Sequence, residues 1–213
     1  MMLKSNPRPV YVILIAALLT LTGCFGNHRP SQPVTYYQLN YPPPEIEFHN
    51  TPLPFVIRVD PFQPSGLYGS QQIIYREAQY TTAQYAYHQW ISPPDQMVPG
   101  YLVRDLRAAG IAQAVFFNGG EAATHRLVGN LEAFYEDDRL DRWQAVAAVS
   151  ITLIDIEKRS IAEQICFQKT YTVEKPCEAN TPAAFVDAMS KAAAQISETA
   201  ITDIYNALLE AED

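Results

Sequence analysis

Cys24 is the side chain with the most specific chemical setting in this sequence. It follows Leu21-Thr22-Gly23, a branched apolar residue and two small ones. Small residues ahead of a cysteine let an extended strand enter a narrow peptidase site. The thiol is then an accessible nucleophile. The other candidates are weaker. His28, His49, His88 and His125 lie far apart and fit no metal-ligand spacing. Asp137-Asp138 with Asp141 lacks calcium-loop spacing and reads as a charged hairpin tip. There is no G-x-S-x-G, no G-x-x-x-x-G-K-[ST] and no G-x-G-x-x-G. No catalytic constellation assembles, so the chain reads as a non-enzyme. No metal and no cofactor are expected, apart from the covalent lipid on Cys24.

The residues ahead of Cys24 support the same chemistry. Met1 to Pro9 carries Lys4 and Arg8 and no acid, and Val10 to Leu21 is free of charge. This is the basic-then-apolar order of an export signal. Twelve residues of helix span about 18 Å, short of the roughly 30 Å of a bilayer core. Leu21-Thr22-Gly23-Cys24 resembles the lipobox of bacterial lipoproteins, which implies signal-peptidase recognition of Leu21, Thr22 and Gly23 and a diacylglyceryl group on the Cys24 thiol. The expected organisation is a signal peptide over 1–23, a lipidated cysteine and tether over 24–34, and one domain over 35–213. Acyl chains of the palmitate kind give stable anchoring, because each buried CH₂ contributes about 0.8 kcal/mol. Phe25, rather than Asp, follows the cysteine. The expected location is therefore the outer membrane, facing the periplasm.

Composition limits the partners. The 213 residues are 48% apolar and 18% charged, an ordinary globular balance. The net charge is −8, and losing Lys4 and Arg8 with the signal makes the mature chain more acidic still. A nucleic-acid binder needs a basic face, which is missing here.

The periodicity then sets the elements. Thr35 to Asn40 is a short strand, followed by a polyproline-like connector through Pro42-Pro43-Pro44, Pro52 and Pro54. Phe55 to Asp60 alternates. Gln71 to Tyr80 and Ala83 to Ile91 read as an aromatic hairpin. Met97 to Ala109 is a helix stopped by Gly110, and Ile111 to Phe117 returns as a strand. Three long strands follow. His125 to Asp137 places Leu127, Gly129, Leu131, Ala133 and Tyr135 on one face. Trp143 to Asp155 is apolar on both faces, which suits a central strand. Ile161 to Val173 alternates again. Thr181-Pro182 opens a helix whose apolar stripe runs from Phe185 through Met189, Ala192, Ile196, Ala200 and Ile204 to Leu208. Its polar face is acidic, so it packs on the sheet rather than on a membrane. The expected fold is one α+β domain. A mostly antiparallel mixed sheet of about six to eight strands carries one short helix and one long C-terminal helix.

Tyr75, Arg76 and Trp90 are the candidate partner surface, because aromatic and Arg side chains are enriched at interface centres. On strand spacing, Ile73 and Tyr75 share one face and Ile74 and Arg76 the other, which would make Tyr75 core. Cys166 and Cys177 are a candidate disulfide in an oxidising compartment. A bridge needs Cα atoms about 5.5 Å apart. A strand running on to Val173 carries the chain about 23 Å away, and the four residues left reach back about 14 Å. Pairing therefore requires the strand to reverse near Tyr171.

The order of segments resembles the ABC-type transport auxiliary lipoproteins, the family typified by paraquat-inducible protein C. The residues that carry the likeness begin with Tyr36-Tyr37-Gln38-Leu39 soon after the cysteine. Ile57 to Val59 leads to Ile73-Ile74-Tyr75-Arg76, then Tyr85, Trp90 and Pro93-Pro94. Leu127-Val128-Gly129 leads into Phe134-Tyr135. Leu153-Ile154-Asp155 enters a charged turn, and Pro182-Ala183-Ala184-Phe185-Val186 opens the last helix. The resemblance implies a periplasmic accessory of a lipid-transporting ABC system. Its expected partners are an MCE-domain protein, the membrane through the lipid anchor, and copies of itself in a homo-oligomer. The expected role is a docking or scaffold subunit. The alternative is an envelope-assembly or regulatory lipoprotein that binds a cell-wall enzyme or an outer-membrane barrel.

Overall fold

Proline and glycine punctuate this chain where its elements change direction. The computed structural model describes residues 32–49, 51–120, 122–139 and 141–212. In chain order it holds β1 (Thr35–Tyr37), β2 (Leu53–Val59), β3 (Gln63–Pro64), β4 (Gln72–Ala78) and β5 (Thr81–Trp90). Helix α1 (Pro94–Ala109) and β6 (Ala112–Phe117) follow, then β7 (His125–Asp137), β8 (Gln144–Asp155), α2 (Ile161–Gln164), β9 (Ile165–Pro176) and α3 (Pro182–Glu212).

Strand β7 is the axis of the sheet. One edge pairs antiparallel with β8 over its whole length, from His125↔Asp155 to Asp137↔Gln144, and β8 pairs antiparallel with β9. The other edge takes three short parallel partners in turn: β2 near Leu127, β3 at Asn130–Leu131 and β4 at Tyr135–Asp137. Parallel β6 flanks β2. Antiparallel β5 flanks β4, and β1 lies beside β5. The described residues thus form one nine-stranded sheet. Most of its paired positions are antiparallel.

Both long helices cover one face. Leu102 and Leu106 of α1 and the whole stripe of α3 from Phe185 to Leu208 are buried. They meet Ile57, Leu127, Leu131, Val149, Ile151 and Leu153 in one core. Burying each such side chain contributes about 1.5–3 kcal/mol. Helix α1 ends where Gly110 adopts φ 64° and returns its N–H to the Leu106 carbonyl. Pro99 lies inside α1 and has no N–H for the carbonyl four residues back. That Asp95 carbonyl accepts the Phe62 N–H at 3.1 Å instead, which ties the helix to the chain after β2.

Two local features depart from the alternation of the sequence. A bulge between Leu131 and Ala133 reverses the facing of β7. Leu127, Leu131 and Phe134 enter the main core, while Ala133 and Tyr135 pack on the opposite face with Ile74 and Val146. The expected single face from Leu127 to Tyr135 is therefore split. Second, residues 161–164 form a helical turn, and β9 begins at Ile165. Ser160 and Glu163 are spaced as a capping box, and the Glu163 N–H donates to Ser160 Oγ at 3.3 Å. Capping overrides strand alternation there.

Residues 39–49 run in an extended path along α3. Asn40 N–H donates to Ser190 Oγ, and Tyr205 donates to the His49 carbonyl. The residues from Val34 onward form one compact unit.

Candidate functional site

Charged and polar side chains that the core encloses mark where sequence and structure spend free energy, because an unpaired buried charge costs several kcal/mol. Asp105 of α1 is fully buried. It accepts from Tyr41 at 3.0 Å, Ser197 at 2.6 Å and Arg104 Nε at 2.8 Å. The same Arg104 lies over the rings of Tyr41 and Tyr101 and donates to the Tyr41 carbonyl. Burial and the neighbouring Asp105 push the Tyr41 hydroxyl well above its ordinary value. This network clamps the extended N-terminal segment between α1 and α3.

Glu136 is the second enclosed carboxyl. It follows Phe134 on the helix-side face at the far end of β7, and it is fully buried. Tyr85 donates to its Oε1 at 2.8 Å, while Oε2 has no partner. Burial raises its pKa from 4.5 to about 7, with Asp138 adding to the rise. From there an aromatic row crosses three strands. Tyr75 and Tyr85 lie 4.8 Å apart, Tyr85 and His88 5.5 Å, and His88 and Tyr37 5.7 Å, with the Tyr37 hydroxyl 3.1 Å from His88 Nδ1. The β5 bulge between its pairings with Gln72 and Ile74 brings Tyr85 and His88 to the same side.

The three residues expected at a partner surface do not share one. Trp90 is fully buried against Phe134 and Phe185, with ring centres 5.3 and 6.0 Å away. It is a core anchor, and its place as a surface residue is corrected. Tyr75 lies in the aromatic row and stays half-buried. Arg76 lies on the opposite face, over the Tyr135 ring at 4.3 Å.

The candidate disulfide is also corrected. Strand β9 does not reverse near Tyr171 but holds its register with β8 from Phe167 to Pro176. Cys166 and Cys177 therefore lie at opposite ends of it, and both are free. Cys177 is fully buried, and burial pushes its thiol up to about 11. Cys166 is half-buried, and its thiol is raised for the same reason.

Leu21, Thr22, Gly23 and Cys24 lie outside the described residues, as does His28. Among the described residues no group of three or more His, Cys, Asp or Glu side chains is placed to hold a metal ion. Asp137 pairs with Arg139, whose guanidinium holds the carboxyl below its usual range. His125 is buried on Thr124 and Phe55, and burial lowers its pKa. On the face away from the helices, an open groove of about 360 Å³ is lined by Asp60, Arg126, Asn130, Ser150 and Thr152. Asp60 there pairs with both Arg58 and Arg126. Between helices and sheet, the void lined by Leu39, Phe62, Leu102 and Ile196 is about 10 Å³, about one water in size. It accommodates no acyl chain. Among the described residues no helix is long and apolar enough to cross a membrane.

An open mixed sheet with two helices on one face defines an α+β domain. The model of the ABC-type transport auxiliary lipoprotein component family matches residues 37–200, from β1 into α3, and the chain belongs to that family. The fold is also that of protein XCC0632 from Xanthomonas campestris, at TM-score 0.71 and 18% identity, covering 84% of this chain and 100% of that one. A further crystal structure of an uncharacterized protein aligns at TM-score 0.64 and 16% identity, over 81% of this chain and 99% of that one. The hypothetical protein CT253 from Chlamydia trachomatis aligns at TM-score 0.50 and 7% identity, over 73% and 98%. At these identities the likeness concerns the fold alone. No curated protein matches the chain.

Proposed function

We propose that this lipoprotein is a non-catalytic docking subunit of an MCE-type ABC lipid transport system. It is anchored through Cys24 in the outer membrane and faces the periplasm. The observation that carries the reading is the family match, which spans nearly the whole folded domain behind a lipobox. Two features of the interior agree with a docking role. The space between helices and sheet is filled, so the domain has no room there to carry a lipid. The buried carboxylate of Asp105 is fully engaged in clamping the N-terminal segment. The ABC partners supply ATP hydrolysis and the membrane path, and this subunit supplies a binding surface.

The test is co-purification of the tagged full-length lipoprotein from detergent-solubilised envelopes. Recovery of an MCE-domain protein with its permease and ATPase supports the proposal. Recovery of a cell-wall synthase or a barrel protein without any MCE component overturns it. Density-gradient separation of inner and outer membranes tests the location.

A further inference from the structure

The tyrosines of this chain are unevenly placed. Seven of the thirteen fall in 36–37 and 68–87, on β1, the loop before β4, β4, β5 and the turn between them. This wing is also nearly free of charge. Residues 30–44, 61–75 and 78–94 contain no Asp, Glu, Lys or Arg, which leaves Arg76 and Glu77 as the charged residues of the hairpin. The rest of the chain carries the acidic excess.

The wing also holds much of the exposed apolar surface. Val34, Tyr36, Leu67, Tyr80, Tyr87 and Ile91 are exposed there, Tyr80 at 91%. Tyr80 lies at the hairpin turn. The chain reaches this wing directly from the lipidation motif. Strand β1 runs with β5 and against β4, so the chain comes to Val34 from the side on which β7 finishes. Cys24 to Pro33 spans at most about 33 Å when extended. An acylated Cys24 therefore holds a bilayer within that distance of Val34.

We propose that the tyrosine wing of β1, β4 and β5 rests on the lipid interface of the membrane that holds Cys24. The inference rests on acylation of Cys24 and not on the identity of the transporter. Tyrosine pairs an apolar ring with a polar tip, the chemistry that collects at membrane–water boundaries. An acidic protein is repelled by an anionic lipid surface, and the repulsion fades over about 8 Å at physiological salt. An uncharged wing is the part of such a chain that approaches without that cost. Contact there would fix the orientation of the domain and turn the β8–β9 connection, with exposed Ile156, Ile161 and Ile165, away from the anchor.

The experiment uses full-length lipoprotein, its acyl mass verified, in vesicles of phosphatidylethanolamine and phosphatidylglycerol, some carrying brominated acyl chains. Tyr80→Trp and Tyr87→Trp report on the wing, and Ile161→Trp reports on the β8–β9 connection. The added emission at positions 80 and 87 should shift to the blue and lose its larger part to brominated lipid. The emission at 161 should keep its intensity. Unquenched emission at 80 and 87 overturns the proposal and leaves a protein partner as the cover of the wing. Equal quenching at all three positions overturns it too, because the domain then has no preferred side. A mature chain that carries no acyl mass removes the tether and overturns it as well. The assay contains no transporter, so loss of the MCE reading leaves its outcome unchanged.

Discussion

Tyr85 donates its hydroxyl to Oε1 of Glu136 at 2.8 Å, and the second carboxylate oxygen faces the interior without a partner. Burial raises the Glu136 pKa from 4.5 to about 7. The folded chain therefore holds a proton that the unfolded chain releases at lower pH. The contribution of this group to stability is full below pH 4.5 and falls as pH rises through 7, a total loss of roughly 1–3 kcal/mol. Glu136→Gln keeps an acceptor for Tyr85 and removes the charge. The variant should melt higher than wild type at pH 8 and lose most of the slope between pH 5 and 7. Thermal melts across that range are the measurement. Parallel pH profiles for the two proteins would contradict the assignment.

Trp90 and Arg76 should separate cleanly under truncation. Trp90 is enclosed by Phe134 and Phe185, so Trp90→Ala should cost about 3–5 kcal/mol. Arg76 covers the Tyr135 ring from outside, and Arg76→Ala should cost about 0.5–1 kcal/mol. Urea unfolding of both variants gives the comparison. Equal costs would mean that Trp90 does not anchor the core.

Asp105 joins α1, α3 and the extended N-terminal segment. Asp105→Ala leaves the Arg104 charge and the Tyr41 and Ser197 hydroxyls without their acceptor. A loss of roughly 3–5 kcal/mol is expected. Ser197→Ala removes one donor and should cost about 1 kcal/mol. Proteolysis near residues 39–49 should quicken in Asp105→Ala before global unfolding. Unchanged cleavage would show that the network does not hold that segment.

Cys166 and Cys177 should count as two free thiols in the denatured mature protein. In the folded protein Cys166 should react with a thiol reagent, and slowly, because its thiol pKa is raised. Cys177, fully buried, should stay silent. An intact-mass deficit matching one disulfide would contradict the register of β9.

Much of the framework is legible in the sequence because its signals are local. The bounds of β7 agree with the alternation from His125 to Asp137, and the stripe from Phe185 to Leu208 is the buried face of α3. The parallel pairings of β2, β3 and β4 with β7 are not legible, since each joins segments far apart in the chain. The bulge near Glu132 leaves no mark in the alternation, yet it decides that Tyr135 leaves the core and Glu136 enters it. The Ser160 and Glu163 spacing of a capping box is local, but the alternation from Ile161 onward masks it. Trp90 shows the limit of composition. An aromatic among tyrosines at a strand end reads as an interface anchor until the helix that covers it is placed. Gly129 is a further case. A Cβ there would lie 2.8 Å from both the Phe62 ring and the Ser150 carbonyl, a close approach visible only in three dimensions.

The most direct test of the central claim is crosslinking of the full-length lipoprotein in intact cells, followed by affinity capture and mass spectrometry. A docking subunit of an ABC lipid transporter should bring down an MCE-domain protein, its permease and its ATPase, with crosslinks that fall on surface residues of Val34 onward. Capture of cell-wall synthases or a barrel protein with no transporter component would contradict that account.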